Sequence, residues 1–262
     1  MQDRELYFFD LFAGAGGTSL GLEKAGFTSL GFIEHDLQCV KSHLLNFDEP
    51  VIKLSKDHRT DIRKVSPKLL KKKINQRGIG SLDLLVATPP CQGFSCVGRG
   101  KLNSLSTGSR QFQNDPRNRL YSHVLDFVRV LRPKMVMFEN VPGMLNVRGK
   151  NVVERVCIDI EALGYEVKCS LLNASWYGVP QSRERVIILA SRKDLNLTPE
   201  FPHIKFDTTA VGGHWSQAER LGYSWDRKDL FVTCEMLKER RTLRPAISVE
   251  DAIGDLPKFT QH

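Results

Sequence analysis

Blocks of apolar and polar residues follow one another from residue 6 to residue 192 with two kinds of spacing. Short continuous apolar runs are typical of buried strands. They cover residues 6–12, 30–34, 82–88 and 135–139. Apolar residues at helical spacing lie between these runs, in residues 18–25 and in the segments DLQCVKSHLLNF, LYSHVLDFVRVL and NVVERVCIDIEAL. Strands that alternate with helices predict an α/β fold with a doubly wound, mostly parallel sheet.

Two further apolar runs, YEVKCSLLNA and RVIILASR, are joined by the ten residues SWYGVPQSRE. This connection is too short for the helical crossover that parallel strands need, so we predict an antiparallel hairpin at one edge of the sheet. The periodicity fades after Arg192, and residues 195–227 show no clear element. The pattern therefore predicts a main domain of residues 1–194, followed by an irregular extension of residues 195–262.

The positive charge of the chain is concentrated in one segment. Residues 53–77 contain ten lysines and arginines against two aspartates, which equals the formal net charge of +8 for the whole chain. Within this segment, SPKLLKKKINQRG predicts an amphipathic helix with Leu69, Leu70 and Ile74 on its buried side. We interpret its lysines as a solvated face, and a patch for DNA or for a protein partner is the alternative.

Several classes of protein do not fit this sequence. No apolar run approaches the roughly 18 residues that span a bilayer, and the first twelve residues lack the basic and then apolar pattern of a secretory signal. The six cysteines are scattered without C-x-x-C pairs, so neither a zinc site nor a disulfide framework is predicted. We expect a cytoplasmic protein with no membrane segment and no bound metal.

A glycine cluster, Phe12-Ala-Gly-Ala-Gly-Gly17, stands where the first predicted strand meets the first helix. Glycines at this position let the backbone adopt positive φ and approach a ligand closely. Glu34 follows Gly14 by twenty residues, at the end of the next strand, where a carboxylate can accept both hydroxyls of a ribose. The pair predicts a nucleotide-like cofactor, and it leaves both a nicotinamide dinucleotide and S-adenosylmethionine open. A plain tight turn is the alternative for the glycines alone.

A cysteine stands at the end of the third predicted strand. Cys91 follows Pro89 and Pro90 and opens a glycine-rich and serine-rich loop that runs to residue 117. The carboxyl ends of strands are where open α/β sheets keep their sites. The prolines hold the thiol on one side while the loop leaves it accessible, which favours a nucleophile over a buried core cysteine. We interpret the long loop as a mobile lid.

Polar side chains also mark the next two strands. The fourth strand ends in Glu139 and Asn140, which a parallel sheet should bring to the same edge as Cys91, although a helix cap would also explain them. Gln181, Arg183 and Arg185 alternate toward the last strand and should therefore share one face. A solvated edge with surface ion pairs is the alternative.

Taken in order, these segments resemble the cytosine-5 DNA methyltransferase family, whose blocks read F-x-G-x-G-G, a ribose carboxylate, P-C-Q, E-N-V and Q-x-R-x-R. The resemblance covers residues 8–191. It implies an S-adenosylmethionine-dependent methyltransferase fold, with S-adenosyl-L-methionine as the cofactor. The implied cofactor-binding residues are Phe12, Gly14, Gly16, Gly17, Glu34, His35, Asp61, Ile62, Pro89 and Leu120. His35 departs from the apolar or aromatic residue expected to stack on adenine, and an imidazole can stack as well.

The resemblance also implies a mechanism. The thiolate of Cys91 adds to C6 of cytosine, which makes C5 nucleophilic enough to accept a methyl group. Arg183 and Arg185 favour the thiolate, Glu139 donates a proton to N3, Arg185 binds O2 and Asn140 fixes the geometry. The base must be flipped out of the duplex, under a lid that closes over it. The lid residues expected to contact DNA are Gln92, Ser95, Arg99, Lys101 and Arg110.

The expected partner is double-stranded DNA. Members of the family continue into a target-recognition region, a basic block and a C-terminal helix, and the sequence shows only the entry segment PAISVEDAIGDLPKF. We therefore expect either the larger subunit of a split enzyme or a fragment of a longer protein. The alternatives are a tRNA cytosine-5 methyltransferase, a non-catalytic binding or regulatory homologue, and a nicotinamide-dependent oxidoreductase.

Overall fold

The computed structural model describes residues 4–90, 120–147, 150–208, 225–238 and 243–256. The helices are α1 Gly17–Lys24, α2 Leu37–Asn46, α3 Pro67–Gln76, α4 Leu120–Leu131, α5 Val152–Glu161 and α6 Val249–Ile253. The strands are β1 Leu6–Leu11, β2 Phe27–Ile33, β3 Leu84–Ala87, β4 Met135–Asn140, β5 Tyr165–Asn173, β6 Glu184–Arg192, β7 Phe206–Asp207, β8 Phe231–Val232 and β9 Arg244–Pro245. The predicted alternation of strands and helices is confirmed, with bounds that move by a few residues.

Seven strands form one sheet in the order β2-β1-β3-β4-β6-β5-β8. The pairs from β2 to β4 are parallel, whereas β6 runs antiparallel to both β4 and β5. The mostly parallel sheet and the antiparallel hairpin are therefore confirmed. The hairpin does not form the edge, because β8 pairs with β5 in parallel on its outer side.

The lysine-rich helix is present as α3, and one of its predicted core residues is wrong. Leu70 and Ile74 are buried in the main core. Leu69, which we expected beside them, is 45% exposed. Lys68, Lys71 and Lys72 are exposed, and no carboxylate among the described parts of the chain pairs with them. The helix thus packs along a narrower apolar stripe than the sequence suggested.

The segment after residue 194 is attached to the main sheet. Trp225 and Leu230 are buried in the main core, and the backbone N–H of Arg227 donates to Glu154 of α5 at 2.6 Å. The Arg227 guanidinium also pairs with Glu161 of the same helix at 3.2 Å. The division into domains at residue 194 stays a prediction. No helix in the described part of the chain is long and apolar enough to cross a membrane.

Candidate active site

The carboxyl ends of the central strands are joined by hydrogen bonds. The N–H of Phe12, just after β1, donates to the carbonyl of Ile33 at the end of β2. The Thr88 hydroxyl, after β3, donates to the carbonyl of Phe12 at 2.9 Å. The Asn140 amide, at the end of β4, donates to the carbonyl of Pro89 at 3.0 Å. Four strand ends are thus fixed at one edge, as the sequence predicted.

The glycine turn after β1 has an open side and a packed side. Phe12, Gly14 and Gly16 have positive φ angles of 67°, 57° and 97°. Residues other than glycine rarely adopt this left-handed region. A Cβ at Gly14 or at Gly17 would meet no atom of the described residues within 4 Å, so the backbone there faces space that this part of the chain leaves open. A Cβ at Gly16 would lie 2.2 Å from the Phe47 ring. The turn therefore has room for a ligand at Gly14 and Gly17, whereas the Cβ side of Gly16 is occupied by the Phe47 ring. Contact of Gly16 with the cofactor stays a prediction.

Glu34 is buried just beyond β2 and supports this turn. One carboxylate oxygen accepts the N–H groups of His35 and Asp36, each at 2.7 Å, and the other accepts the N–H of Gly14 at 2.9 Å. A carboxylate offers about four acceptor positions. With the described residues as its only partners, the carboxylate has one position left for a ligand hydroxyl. That Glu34 accepts both hydroxyls of a ribose stays a prediction.

The remaining residues expected at the cofactor lie around Glu34 in different ways. His35 is exposed, with its Nδ1 3.5 Å from the Glu34 carboxylate, and can offer a ring face. Asp61 is brought near by the hydrogen bond from the Thr60 N–H to the Glu34 carbonyl, but Arg63 engages its carboxylate at 2.5 Å. That guanidinium lowers the pKa of Asp61 to about 2.

Ile62, Leu120 and Pro89 are buried, as are Gly16 and Glu34. Ile62 and Leu120 lie in the main hydrophobic core, so a ligand could reach Ile62 only through its backbone. Pro89 is also buried, with its carbonyl held by Asn140. Ile62, Leu120 and Pro89 shape the walls of the site instead of presenting polar groups to it.

Asp10 is a polar residue near the turn that sequence reasoning missed. It is fully buried in β1 and accepts a hydrogen bond from the Ser19 hydroxyl of α1 at 2.8 Å. Its other oxygen has no partner among the described residues. Burial raises the pKa of Asp10 to about 7, and the charge of Glu34 adds to the rise. The acidic residue within the apolar run was the one available signal.

Glu139 and Arg185 form an ion pair, with 2.9 Å between Nε of Arg185 and a carboxylate oxygen of Glu139, at the edge of the sheet where the central strands end. Their proximity follows from the register of the antiparallel strands, because Glu139 of β4 lies opposite Ile187 of β6, and Arg185 is two residues away on the same face. Burial raises the pKa of Glu139, and the charges of Arg185 and Arg183 oppose that rise. The site thus holds a carboxyl group that retains a proton more readily than an exposed glutamate.

The segment before β6 contains two of the predicted residues. Gln181 and Arg183 precede the strand and belong to the connection from β5, whereas Arg185 lies within β6. That the three side chains share one face stays a prediction. Asn173 fixes this connection, because its side-chain oxygen accepts from the Arg183 N–H at 3.1 Å and from the Ser175 hydroxyl at 2.8 Å. Asn173 is buried and was missed, since an asparagine at a strand end has many other uses.

Six of the predicted site residues lie outside the described residues. They are Cys91, Gln92, Ser95, Arg99, Lys101 and Arg110. The described chain reaches Pro90, which directly precedes Cys91 and is exposed. The structure therefore brings together the glycine turn, Glu34, Asn140, Glu139 and Arg185, at the edge where Cys91 follows.

The comparison with protein families decides the identity. Residues 6–242 match the family model described as C-5 cytosine-specific DNA methylase. The chain belongs to this methylase family. Family members use S-adenosyl-L-methionine. The match leaves no role for the nicotinamide-dependent alternative.

Curated relatives of this methylase chain are type II methyltransferases of two lengths. M1.HphI of Haemophilus parahaemolyticus is 34% identical over 211 residues, which are 79% of this chain and 52% of that protein. M.AquIA of Picosynechococcus is 33% identical over 270 residues, which are 98% of this chain and 91% of that protein. The chain spans about half the length of six of the curated relatives it matches, M1.HphI among them.

A solved structure shares the fold of this methylase chain. A Spodoptera frugiperda DNMT2 variant aligns with a TM-score of 0.59 at 18% identity, over 98% of this chain and 61% of the other. This likeness confirms the methyltransferase fold. The described residues also fit S-adenosyl-L-methionine, because Gly14 and Gly17 leave backbone room and Glu34 keeps one acceptor for a ribose hydroxyl.

Proposed function

We propose that this chain is the catalytic and cofactor-binding part of a DNA (cytosine-5) methyltransferase. The observation that carries the proposal is the Glu139–Arg185 pair, 2.9 Å apart at the strand edge where Asn140 also fixes the carbonyl of Pro89. In this proposal Glu139 is the proton donor and Arg185 the anion-binding group, and both act on a base held near the strand end that Cys91 follows. Family membership and the type II relatives support methyl transfer to DNA.

The cofactor would be held by the turn after β1 and by Glu34. The open backbone at Gly14 and Gly17 would face the cofactor, and the free acceptor of Glu34 would take a ribose hydroxyl. The exposed imidazole of His35 would stack on the adenine, and Asp61 would contact the base while it keeps its pair with Arg63. When bound, S-adenosyl-L-methionine supplies the electrophilic methyl group.

In this proposal the chain's own residues activate the target base. The Cys91 thiolate forms a bond to C6, and the electron pair of the C5–C6 double bond moves toward C5. Glu139, whose pKa burial raises, donates a proton to N3, and Arg185 binds O2 as charge develops there. After methylation at C5, the C5 proton leaves and the bond to Cys91 breaks, which restores the aromatic ring. Arg183 is exposed at the same corner and favours the thiolate.

The substrate in this proposal is a cytosine flipped out of double-stranded DNA, because neither face of C6 is accessible within a stacked duplex. Gln92, Ser95, Arg99, Lys101 and Arg110 would contact the DNA around it. The longer relatives contain about as much sequence again outside the part that matches this chain, and selection of the target sequence would depend on that region. A second subunit could supply the same region as a separate polypeptide.

The proposal is tested by trapping on DNA that carries 5-fluorocytosine, since fluorine cannot leave C5 as a proton does. We expect a covalent adduct between DNA and residues 1–262, assayed alone and with the corresponding second half of a relative such as M1.HphI. The variant C91S should abolish the adduct, and C39S, at a partly exposed cysteine in α2, is the matched control. An adduct formed by C91S would overturn the assignment of Cys91 as the nucleophile. An adduct with fluorinated RNA in place of DNA would overturn the proposed substrate. If the wild type forms no adduct in either assay, the proposed methyltransferase activity is overturned.

A further inference from the structure

Three aromatic rings form a stack behind the glycine turn. The His43 imidazole of α2 lies on the Phe32 ring of β2, with ring centroids 4.1 Å apart and planes inclined by 28°. Its other neighbour is Phe47, which follows α2, with a centroid distance of 4.4 Å. His43 is buried, and it connects a strand of the sheet with the ring that closes the end of α2. We refer to Phe32, His43 and Phe47 as the ring stack.

The ring stack touches the turn at Gly16. A Cβ at this position would lie 2.2 Å from Cε2 of Phe47, 2.8 Å from Cζ and 3.0 Å from Cδ2 of His43. Gly16 is also the N-cap residue that precedes α1, with φ of 97°. The backbone at Gly16 therefore rests directly on the two rings, whereas a Cβ at Gly14 or at Gly17 would meet no described atom within 4 Å.

His43 serves this stack as a neutral ring. Neither ring nitrogen has a hydrogen-bond partner among the described residues. Burial lowers the pKa of His43, so the uncharged form is favoured. Because no described hydrogen bond depends on the nitrogens, a phenyl ring could replace the imidazole without loss of a polar contact.

Helix α2 also fixes the other half of the cofactor site. Asp36 caps its first turn by accepting the N–H groups of Gln38 and Cys39. The N–H of Asp36 in turn donates to the Glu34 carboxylate at 2.7 Å. One helix thus supports Glu34 at its beginning and Gly16 at its end, so a shift of α2 would move both groups relative to each other.

We infer that His43 and Phe47 are positioning residues for S-adenosyl-L-methionine, which they affect through Gly16 without contacting it. The inference rests on the proposed cofactor site and extends it to residues that carry no polar group toward the ligand. The two rings fix the position of the turn relative to the sheet and to α2, and they thereby fix the distance between the backbone of Gly14 and Gly17 and the bound cofactor. Loss of a ring lets the turn relax backward and weakens binding.

The first test measures the affinity of residues 1–262 for S-adenosyl-L-homocysteine by calorimetry, together with thermal unfolding of the free protein. We expect His43→Ala and Phe47→Leu to weaken binding about tenfold or more, and His43→Phe to restore nearly the wild-type affinity. Leu70→Ala is the matched control, because it removes a buried side chain of α3 from the main core and should lower the unfolding temperature with little change in affinity.

The second test is a double-mutant cycle between Gly16 and Phe47. Gly16→Ala should cost more affinity in the wild type than in a Phe47→Ala background, because the added methyl group meets the ring only when the ring is present. Additive effects would overturn the inference, as would normal affinity in both His43→Ala and Phe47→Leu. If Phe47→Ala does not fold, the comparison of His43→Ala with His43→Phe decides. Failure of the wild type to bind the product would overturn the cofactor site itself, and the inference with it.

Discussion

Glu139 experiences two opposing influences at the residue scale. Burial favours its neutral form, whereas the guanidinium of Arg185 at 2.9 Å favours the carboxylate. Because burial is the larger effect, the pKa lies above that of an exposed glutamate. A group in this balance can release a proton to a base that becomes more basic during the reaction and can recover it afterwards.

The prediction for Glu139 is a loss of rate without a loss of cofactor binding. Glu139→Gln keeps the shape and removes the transferable proton, so the methylation rate should fall by about 10²- to 10⁴-fold. Single-turnover methylation and calorimetry with S-adenosyl-L-homocysteine measure the two effects separately. A rate within a few fold of the wild type would exclude Glu139 as the proton donor.

Asp10 gives a second prediction at this scale, on pH. Burial raises its pKa to about 7 in the folded protein, above its value in the unfolded chain. The folded state therefore binds a proton more tightly, so the resulting stability is complete below pH 4 and is lost as the pH rises through about 7. Asp10→Asn removes this dependence. Urea unfolding from pH 5 to pH 8 should show the wild type losing its advantage over the variant as the pH rises.

The exposed Asp126→Asn supplies the reference for that comparison, because its side chain is 54% exposed on α4. Should the difference in unfolding free energy between wild type and Asp10→Asn stay constant across this pH range, the raised pKa would be contradicted.

At the scale of elements, the connection from β5 to β6 depends on one buried amide. The Asn173 oxygen accepts from the N–H groups of Ser175 and Arg183, and its nitrogen donates to the Ser182 hydroxyl at 3.2 Å. Asn173→Ala should lower the free energy of unfolding by about 1–3 kcal/mol, because these donors lose their buried acceptor. It should also lower kcat/KM, because the connection that Asn173 holds in place contains Arg183 and leads directly to Arg185.

The exposed Asn75→Ala in α3 is the control for this change, and it should leave both quantities near those of the wild type. Urea unfolding and methylation kinetics supply the measurements. An Asn173→Ala variant with full stability and full kcat/KM would show that the connection is fixed by other contacts.

The sequence predicted the elements well where an apolar pattern had the right length. Helix α4 has the bounds of the segment LYSHVLDFVRVL, and the ends of β1, β3 and β4 meet as parallel strands must. Strand β8 was missed because two residues carry no pattern. Asp10, His43 and Asn173 were missed because their role depends on partners distant in the chain, which periodicity does not reveal.

At the scale of the whole molecule, the segment that carries the net positive charge is not the segment that carries the candidate active-site residues Glu139 and Arg185. The positive charge is concentrated in residues 53–77, and the exposed lysines of α3 have no carboxylate partner in the described ranges. A hollow of about 480 Å³ is lined by lysine and amide side chains of this helix. A second hollow, of about 420 Å³, lies between the end of the helix and residues 50–53. A solvated face explains this arrangement without any partner.

We therefore predict a small effect when these charges are removed. Replacement of Lys68, Lys71 and Lys72 by glutamine should leave DNA affinity within about threefold and should lower solubility, because surface charge limits self-association. Binding titrations at several salt concentrations provide the measurement. If the variant binds at least ten times more weakly, and its affinity depends less steeply on salt, the helix is a DNA contact.

The insertion of β6 between β4 and β5 has a consequence for the order of folding. The hairpin of β5 and β6 is local in the chain and can form early, whereas pairing of β6 with β4 closes a much longer loop and must come later. The ion pair of Glu139 with Arg185 arises only in that later step. During synthesis, the hairpin and the glycine turn can therefore form before Glu139 meets Arg185. In the proposed mechanism, reactivity toward a base then depends on completion of the sheet.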